Sequence, residues 1–163
     1  MTTVIGRRIP PQRLVTLVNP LVRAMARSPL HGLLDDGLIV LHVVGRRSGR
    51  RYDIPVGFVR LDDGLVVMTQ HAWRRNLRGV AEIEMTHHGR RRVCRVDLDE
   101  QPASVAATVQ RIVQGHGLVQ AQRRLGLVFP DGREPTAAEL EAAAREFDLA
   151  VLRVAGADPL GGP

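Results

Sequence analysis

Gly45-Arg46-Arg47-Ser48-Gly49-Arg50-Arg51 sets four arginines, a serine and two glycines side by side between two apolar runs. Arginine is a permanent, forked cation whose donors match phosphate and carboxylate oxygens. Gly45 and Gly49 can take positive φ at no steric cost and let the backbone approach a ligand closely. A hairpin tip of this composition is either a seat for an anion or a solvated turn that is basic because the whole chain is. A second stretch, Gln70-His71-Ala72-Trp73-Arg74-Arg75-Asn76-Leu77-Arg78-Gly79, joins the only tryptophan to three arginines and an asparagine. A helix starting there, where a strand ends, would aim free N–H groups and a positive dipole end at an anion. Trp73, Asn76 and Leu77, at i, i+3 and i+4, are expected on one face of it. The plainer reading makes Trp73 and Leu77 plugs for a barrel end and leaves the arginines solvated. The two readings are compatible, since a plug at a barrel mouth also floors a pocket.

Other chemistries fare worse. Gly45-x-x-Ser48-Gly49 lacks the spacing of a nucleophile elbow and sits on a strand-to-strand turn. The six histidines, at 31, 42, 71, 87, 88 and 116, show no metal-ligand spacing. His87 and His88 are expected on opposite faces of a strand end. Cys94 falls on the apolar side of its run and reads as a buried small hydrophobe. Gly115 and Gly117 open like a dinucleotide fingerprint, but position 120 is Gln and no strand precedes them. All 23 basic residues are arginine. Without lysine there is neither a Walker A phosphate loop nor a Schiff-base mechanism.

The elements that must position these residues follow from pattern. With 163 residues and 44% apolar content, a single domain over 1–163 with a real core is expected. A net charge of +6 and a pI near 11.2 favour an acidic partner or substrate. One cysteine permits no intrachain disulfide, and neither a signal peptide nor a membrane span is visible, so a cytoplasmic location is expected.

Residues 1–36 read as a basic arm followed by short helices broken at Asn19-Pro20. Residues 12–28 form a basic amphipathic segment, a kind that can lie against an anionic membrane but more often packs on its own core. Strands are expected at Leu38–Val44, Tyr52–Leu61, Leu65–Thr69, Ala81–Thr86 and Arg90–Leu98. An Asp-Gly turn at 62–64 makes one hairpin. His71–Gly79 is a helical excursion between strands. From residue 99 to 147 the character is helical. Pro102 opens one helix that ends at Gly115, Leu118–Leu125 forms a second, and a Thr136-x-x-Glu139 capping box opens a third. Leu149–Val154 is a last strand, within 148–155, returning to the sheet. The fold class is α+β, a small barrel of antiparallel strands spanning 37–98, with helices packed at its open ends.

The hairpin GRRSGRRYDIPVGF, followed after a strand by WRRNLRG, resembles the flavin/deazaflavin-dependent oxidoreductases, and within them the deazaflavin-dependent nitroreductase and quinone reductase branch. The likeness covers Leu38 to Val96 well and the flanking helices weakly. It implies that this barrel is a split β-barrel of antiparallel strands, often a homodimer, and the cofactor coenzyme F-420, with FMN as the alternative. Carried onto this chain, it implies a phosphate seat at Arg46, Arg47, Ser48 and Gly49, with Arg51 and Pro55 beside it. It also implies a ring and substrate space bordered by Gln70, His71, Trp73, Asn76 and Leu77. Arg74 and Arg75 are expected to meet an acidic tail. No catalytic side chain is assigned, since the hydride belongs to the cofactor and the protein binds and orients it. The acceptor expected from the likeness is a quinone, a nitro compound or another small electrophile. Two departures stand out. The loop before Trp73 is short, and Tyr52 is the only tyrosine. A non-catalytic cofactor- or lipid-binding barrel is the alternative. A basic nucleic-acid-binding barrel comes third, disfavoured because aromatics make up only 3% of the chain.

Overall fold

The computed structural model describes residues 5–7, 37–129 and 132–156. The expected N-terminal helices and the 12–28 segment lie outside them, as does the tail beyond Gly156. The described sheet strands are β1 (Gly6–Arg7), β2 (Leu38–Val44), β3 (Arg51–Gly57), β4 (Val59–Leu61), β5 (Gly64–Thr69), β6 (Glu82–His87), β7 (Arg90–Asp99), β8 (Leu127–Val128) and β9 (Ala150–Ala155). The helices are α1 (Pro102–His116), α2 (Leu118–Leu125) and α3 (Ala137–Glu146), and a 3-10 helix spans Ala72–Leu77.

Seven strands form one antiparallel sheet in the order β3-β2-β6-β7-β9-β5-β4. Its two edges, β3 and β4, belong to one extended run interrupted only at Phe58. That run pairs with β2 before Phe58 and with β5 after it. Phe58 is buried and its N–H is given to the Gly37 carbonyl at 3.2 Å. The bend there obliges the sheet to curl until its edges meet in a single segment, which is the split β-barrel. The single strand expected over Tyr52–Leu61 is thus two strands. Alternation continues on both sides of the bend, so periodicity could not show it. Nor is the order a simple meander, because β9 enters between β7 and β5.

The curl separates two cores. Alternate residues Ile39, Leu41 and Val43 of β2 point inward with Val67, Ile83, Met85, Cys94 and Leu152. The helices cover the outer face of β4, β5 and β9 and not the expected open ends, because Val59, Val66 and Val151 on that face are apolar and pack beneath Val105, Val109 and Ile112 of α1 and Leu140 and Ala143 of α3. Strand β9 therefore faces apolar material on both sides, which is why Ala150-Val151-Leu152 is a continuous apolar run. Cys94 is buried as expected, and burial pushes its thiol pKa up. No helix among the described residues is long and apolar enough to cross a membrane.

Turn and cap chemistry is local. His88 and Gly89 both take positive φ between β6 and β7, as a primed hairpin turn requires. In that conformation the His88 ring folds back to within 4.0 Å of the His87 ring, centroid to centroid, so the two do not point to opposite faces. The α3 capping box forms as its sequence specifies: Glu139 N–H donates to Thr136 Oγ1 at 3.3 Å, and Thr136 N–H donates to Glu139 Oε2 at 2.8 Å. Arg133 also donates to Glu139, and this hydrogen bond leads the causes that lower the Glu139 pKa to about 2. A carboxylate with a depressed folded pKa stabilises the fold above its unfolded pKa, and that contribution disappears as pH falls through the folded value. Glu139→Gln is therefore expected to lower the urea midpoint at pH 7, with the gap to wild type closing between pH 4.5 and about 2. A gap unchanged across that range would contradict this account.

Candidate site where the basic hairpin meets the 3-10 helix

The β2–β3 hairpin loop is closed from within. Gly45 N–H donates to the Arg50 carbonyl and Gly49 N–H to the Gly45 carbonyl, both at 2.8 Å. Gly49 takes φ 65°, a left-handed conformation in which a Cβ would be strained. From 30 residues away in sequence, Asn76 Oδ1 accepts the Arg46 N–H at 3.1 Å. This one hydrogen bond joins the two stretches that the sequence singled out. It assigns Asn76 the task of holding the hairpin backbone.

The helix that presents Asn76 has period three, and this changes which side chains it buries. In a 3-10 turn residues i and i+3 eclipse. Trp73 and Asn76 accordingly share one side, and Arg74 lies under Leu77 on the other. Arg74 and Leu77 are each only 2% exposed. Trp73 is half-buried against the inner core. The expected Trp73–Asn76–Leu77 face assumed a period of 3.6 and is corrected on this point.

Burial of Arg74 is balanced by two carboxylates. Its Nε contacts Glu100 at 3.0 Å and its Nη2 contacts Asp148 at 2.7 Å. Arg78 grips the same Glu100 through Nε at 2.7 Å and Nη2 at 3.0 Å. The Arg78 hydrogen bond first, with Arg74 adding to it, holds the Glu100 carboxyl below its ordinary range, and Arg74 does the same for Asp148. Arg74 therefore anchors the helix to the end of β7 and to the α3–β9 turn, and its charge is already spent on protein carboxylates. Arg51 is similarly engaged: Nη2 donates to Glu84, and Nε lies 3.8 Å from Asp53. Within the hairpin and the 3-10 helix, Arg46, Arg47, Arg50 and Arg75 are exposed and form no ion pair among the described residues.

The remaining expected site residues distribute as follows. Ser48 Oγ accepts the Arg50 N–H at 3.2 Å. Pro55 lies opposite Val40 on the outward side of β3, away from the inner core. Gln70 is half-buried at the exit of β5. His71 caps the 3-10 helix, its N–H donating to Thr69 Oγ1 at 3.1 Å and its carbonyl accepting the Arg74 N–H at 3.3 Å. Partial desolvation, then the charges of Arg7 and Arg74, lower the His71 pKa, so its ring is neutral at neutral pH and adds no cation.

Sequence reasoning did not find the His42 network. His42 is 7% exposed, with Nδ1 2.7 Å from Asp53 Oδ1 and Nε2 2.7 Å from Thr86 Oγ1. A hydroxyl, an imidazole and a carboxylate in line resemble a nucleophilic triad. Burial and the mid-strand position of Thr86, whose neighbours are paired along β2 and β7, make it instead a polar tie across β3, β2 and β6. Strand alternation that puts His42 opposite Asp53 could have revealed it, given the register. Elsewhere, an open cleft of about 340 Å³ lies between Asp63, Arg95, Asp97 and Arg153, and includes no residue of the hairpin or the 3-10 helix.

No family model and no curated protein matches the chain. Similar solved structures include an F-420 reductase, 15% identical over 82% of this chain and 90% of its own, with a TM-score of 0.39. Another is a pyridoxamine 5'-phosphate oxidase-related, FMN-binding protein from Nostoc punctiforme, 17% identical over 91% of this chain and 82% of its own, with a TM-score of 0.41.

Two outcomes follow from the geometry. Arg74→Ala removes the buried clamp and opens a cavity, while Glu100 keeps Arg78 and Asp148 turns to solvent, and is expected to cost about 2 kcal/mol in urea unfolding. A loss under about 1 kcal/mol would show that the clamp is dispensable. Asn76→Ala removes one hydrogen bond worth about 1 kcal/mol, so the Arg46 amide should exchange about five-fold faster by NMR. Unchanged exchange would mean that the hairpin holds its shape unaided.

Proposed function

We propose that this chain is an oxidoreductase that binds a phosphate-bearing flavin-type cofactor, reduced coenzyme F-420 or alternatively FMN, and directs its hydride to a quinone, a nitro compound or another small electrophile. The observation behind this reading is the Arg46 N–H to Asn76 Oδ1 hydrogen bond, which brings the basic hairpin and the tryptophan helix to one place. The residues fit such a group in one specific respect. Arg46 and Arg47 are exposed and unpaired among the described residues, whereas Arg51 and Arg74 are already neutralised. A rigid loop with uncommitted guanidinium groups suits a phosphate, which arginine can grip bidentately.

When bound, the cofactor supplies a hydride, and the chain's contribution is placement. Arg46 and Arg47 would hold the phosphate, with Ser48 beside them. Asn76 keeps the loop at a fixed distance from the 3-10 helix. Trp73, half-buried on that helix, offers an apolar surface at the edge of the inner core and excludes water from it. The neutral ring of His71 and the half-buried amide of Gln70 would border the substrate side. A dimeric state and contact with a membrane surface through residues 12–28 belong to the same proposal.

Purified protein titrated with F-420 and with FMN is expected to quench the fluorescence of one of them at micromolar concentration. The reduced form should then be oxidised on adding menadione or a nitroimidazole. Arg46→Ala combined with Arg47→Ala should weaken cofactor binding by about 2 kcal/mol, on the order of thirty-fold. Binding of neither cofactor would refute the proposal, and binding without turnover across a panel of quinones and nitro compounds would favour a carrier.

A further inference from the structure

The hydroxyls of Ser48 and Tyr52 stand together at the hairpin, their oxygens 3.4 Å apart. Ser48 Oγ already accepts the Arg50 N–H. Between them the two groups own two O–H protons, and their mutual hydrogen bond consumes one. The other is left for an acceptor outside the pair. Tyr52 is 38% exposed, so the spare donor is within reach of solvent or of a ligand on the hairpin.

Gly45 makes the pair possible. A Cβ at that position would lie 2.6 Å from Ser48 Oγ and 2.9 Å from Tyr52 Cε2, closer than real contacts allow. Any other residue would push the serine and the tyrosine apart. The Tyr52 backbone is fixed from the opposite side by pairing with Val43, which is fully buried. The phenol is thus placed by the core at one end and by the absent side chain at the other.

The chemistry of the site gives this placement a use. Guanidinium groups at an exposed tip attract any anion and discriminate poorly between carboxylate and phosphate. A guanidinium can take two phosphate oxygens in one plane, and a third oxygen then projects out of that plane. A neutral O–H donor held near the same loop suits that third oxygen, which a phosphate monoester such as that of FMN has and a planar carboxylate does not. We infer that Tyr52, paired with Ser48, is a further donor to a phosphate group at this hairpin and biases the seat toward phosphate over carboxylate. The inference rests on the reading of the hairpin as a phosphate seat given above.

The test titrates wild type, Tyr52→Phe, and Arg46→Ala with Arg47→Ala against FMN, riboflavin, inorganic pyrophosphate and succinate. Tyr52→Phe is expected to lose about five- to ten-fold in affinity for FMN and pyrophosphate while riboflavin and succinate are unaffected. Because Tyr52 is the only tyrosine, pyrophosphate should also shift the near-ultraviolet phenol band of wild type, a signal that needs no flavin. Wild-type affinity for FMN in Tyr52→Phe would overturn the inference. Equal losses for FMN and riboflavin would overturn it too, since they would mean that the ring only packs. If the Tyr52→Phe protein melts early, the wild-type phenol band decides, and no shift at saturating pyrophosphate rejects the donor role. An unaffected arginine double variant would remove the seat itself and this inference with it. A weakened double variant beside an unaffected Tyr52→Phe would remove the tyrosine alone.

Discussion

A buried guanidinium sets the geometry of this protein. Arg74 sits under a short helix with almost no exposure, and such a charge is tolerated only when its donors are met. Glu100 and Asp148 meet them, and because they belong to different parts of the chain, the ion pairs tie the helix down from two directions. The remaining site geometry depends on this anchor. The anchored helix presents Asn76, Asn76 holds the Arg46 amide, and the Arg46 amide fixes the loop that carries the free arginines.

The charges near the site therefore divide into two populations. Arg51, Arg74 and Arg78 are bound to Glu84, Glu100 and Asp148 and serve the fold. Arg46, Arg47, Arg50 and Arg75 stay uncommitted. Composition shows only a surplus of arginine, whereas pairing shows which arginines at this site remain available. An exposed pair is worth little in water, but an unpaired cluster on a rigid loop retains its full attraction for an incoming anion.

Much of this was readable in advance, for identifiable reasons. The bounds of β2 follow from an apolar run between turn residues, the end of Leu118–Leu125 follows from the glycine at 126, and the Thr136–Glu139 cap follows from a local hydrogen-bond rule. The hairpin and the tryptophan helix were legible as candidate stretches because their composition is unusual. Three features were not. The 3-10 period exchanged the roles of Arg74 and the Trp73 side, and no sequence pattern over six residues separates period 3.0 from 3.6. The bend at Phe58 leaves strand alternation intact. The His42–Asp53–Thr86 tie exists only once strand register brings three distant residues onto one face.

Strand β9 lies between β7 and β5, yet it is the last strand of the sheet to be synthesised. Until it emerges, β5 and β7 each present an open row of backbone donors and acceptors, and neither core has its shared wall. The Leu152 and Val154 pairings, such as Val67 with Leu152 and Leu65 with Val154, join residues far apart in the chain. High contact order of this kind slows closure and lengthens the interval in which those edges are exposed. The same interval delays Asp148, two residues before β9, so the Arg74 clamp is completed only as the barrel closes. The hairpin loop held through that clamp acquires its shape at the end of folding, so partly folded chains do not present the proposed anion seat in finished form.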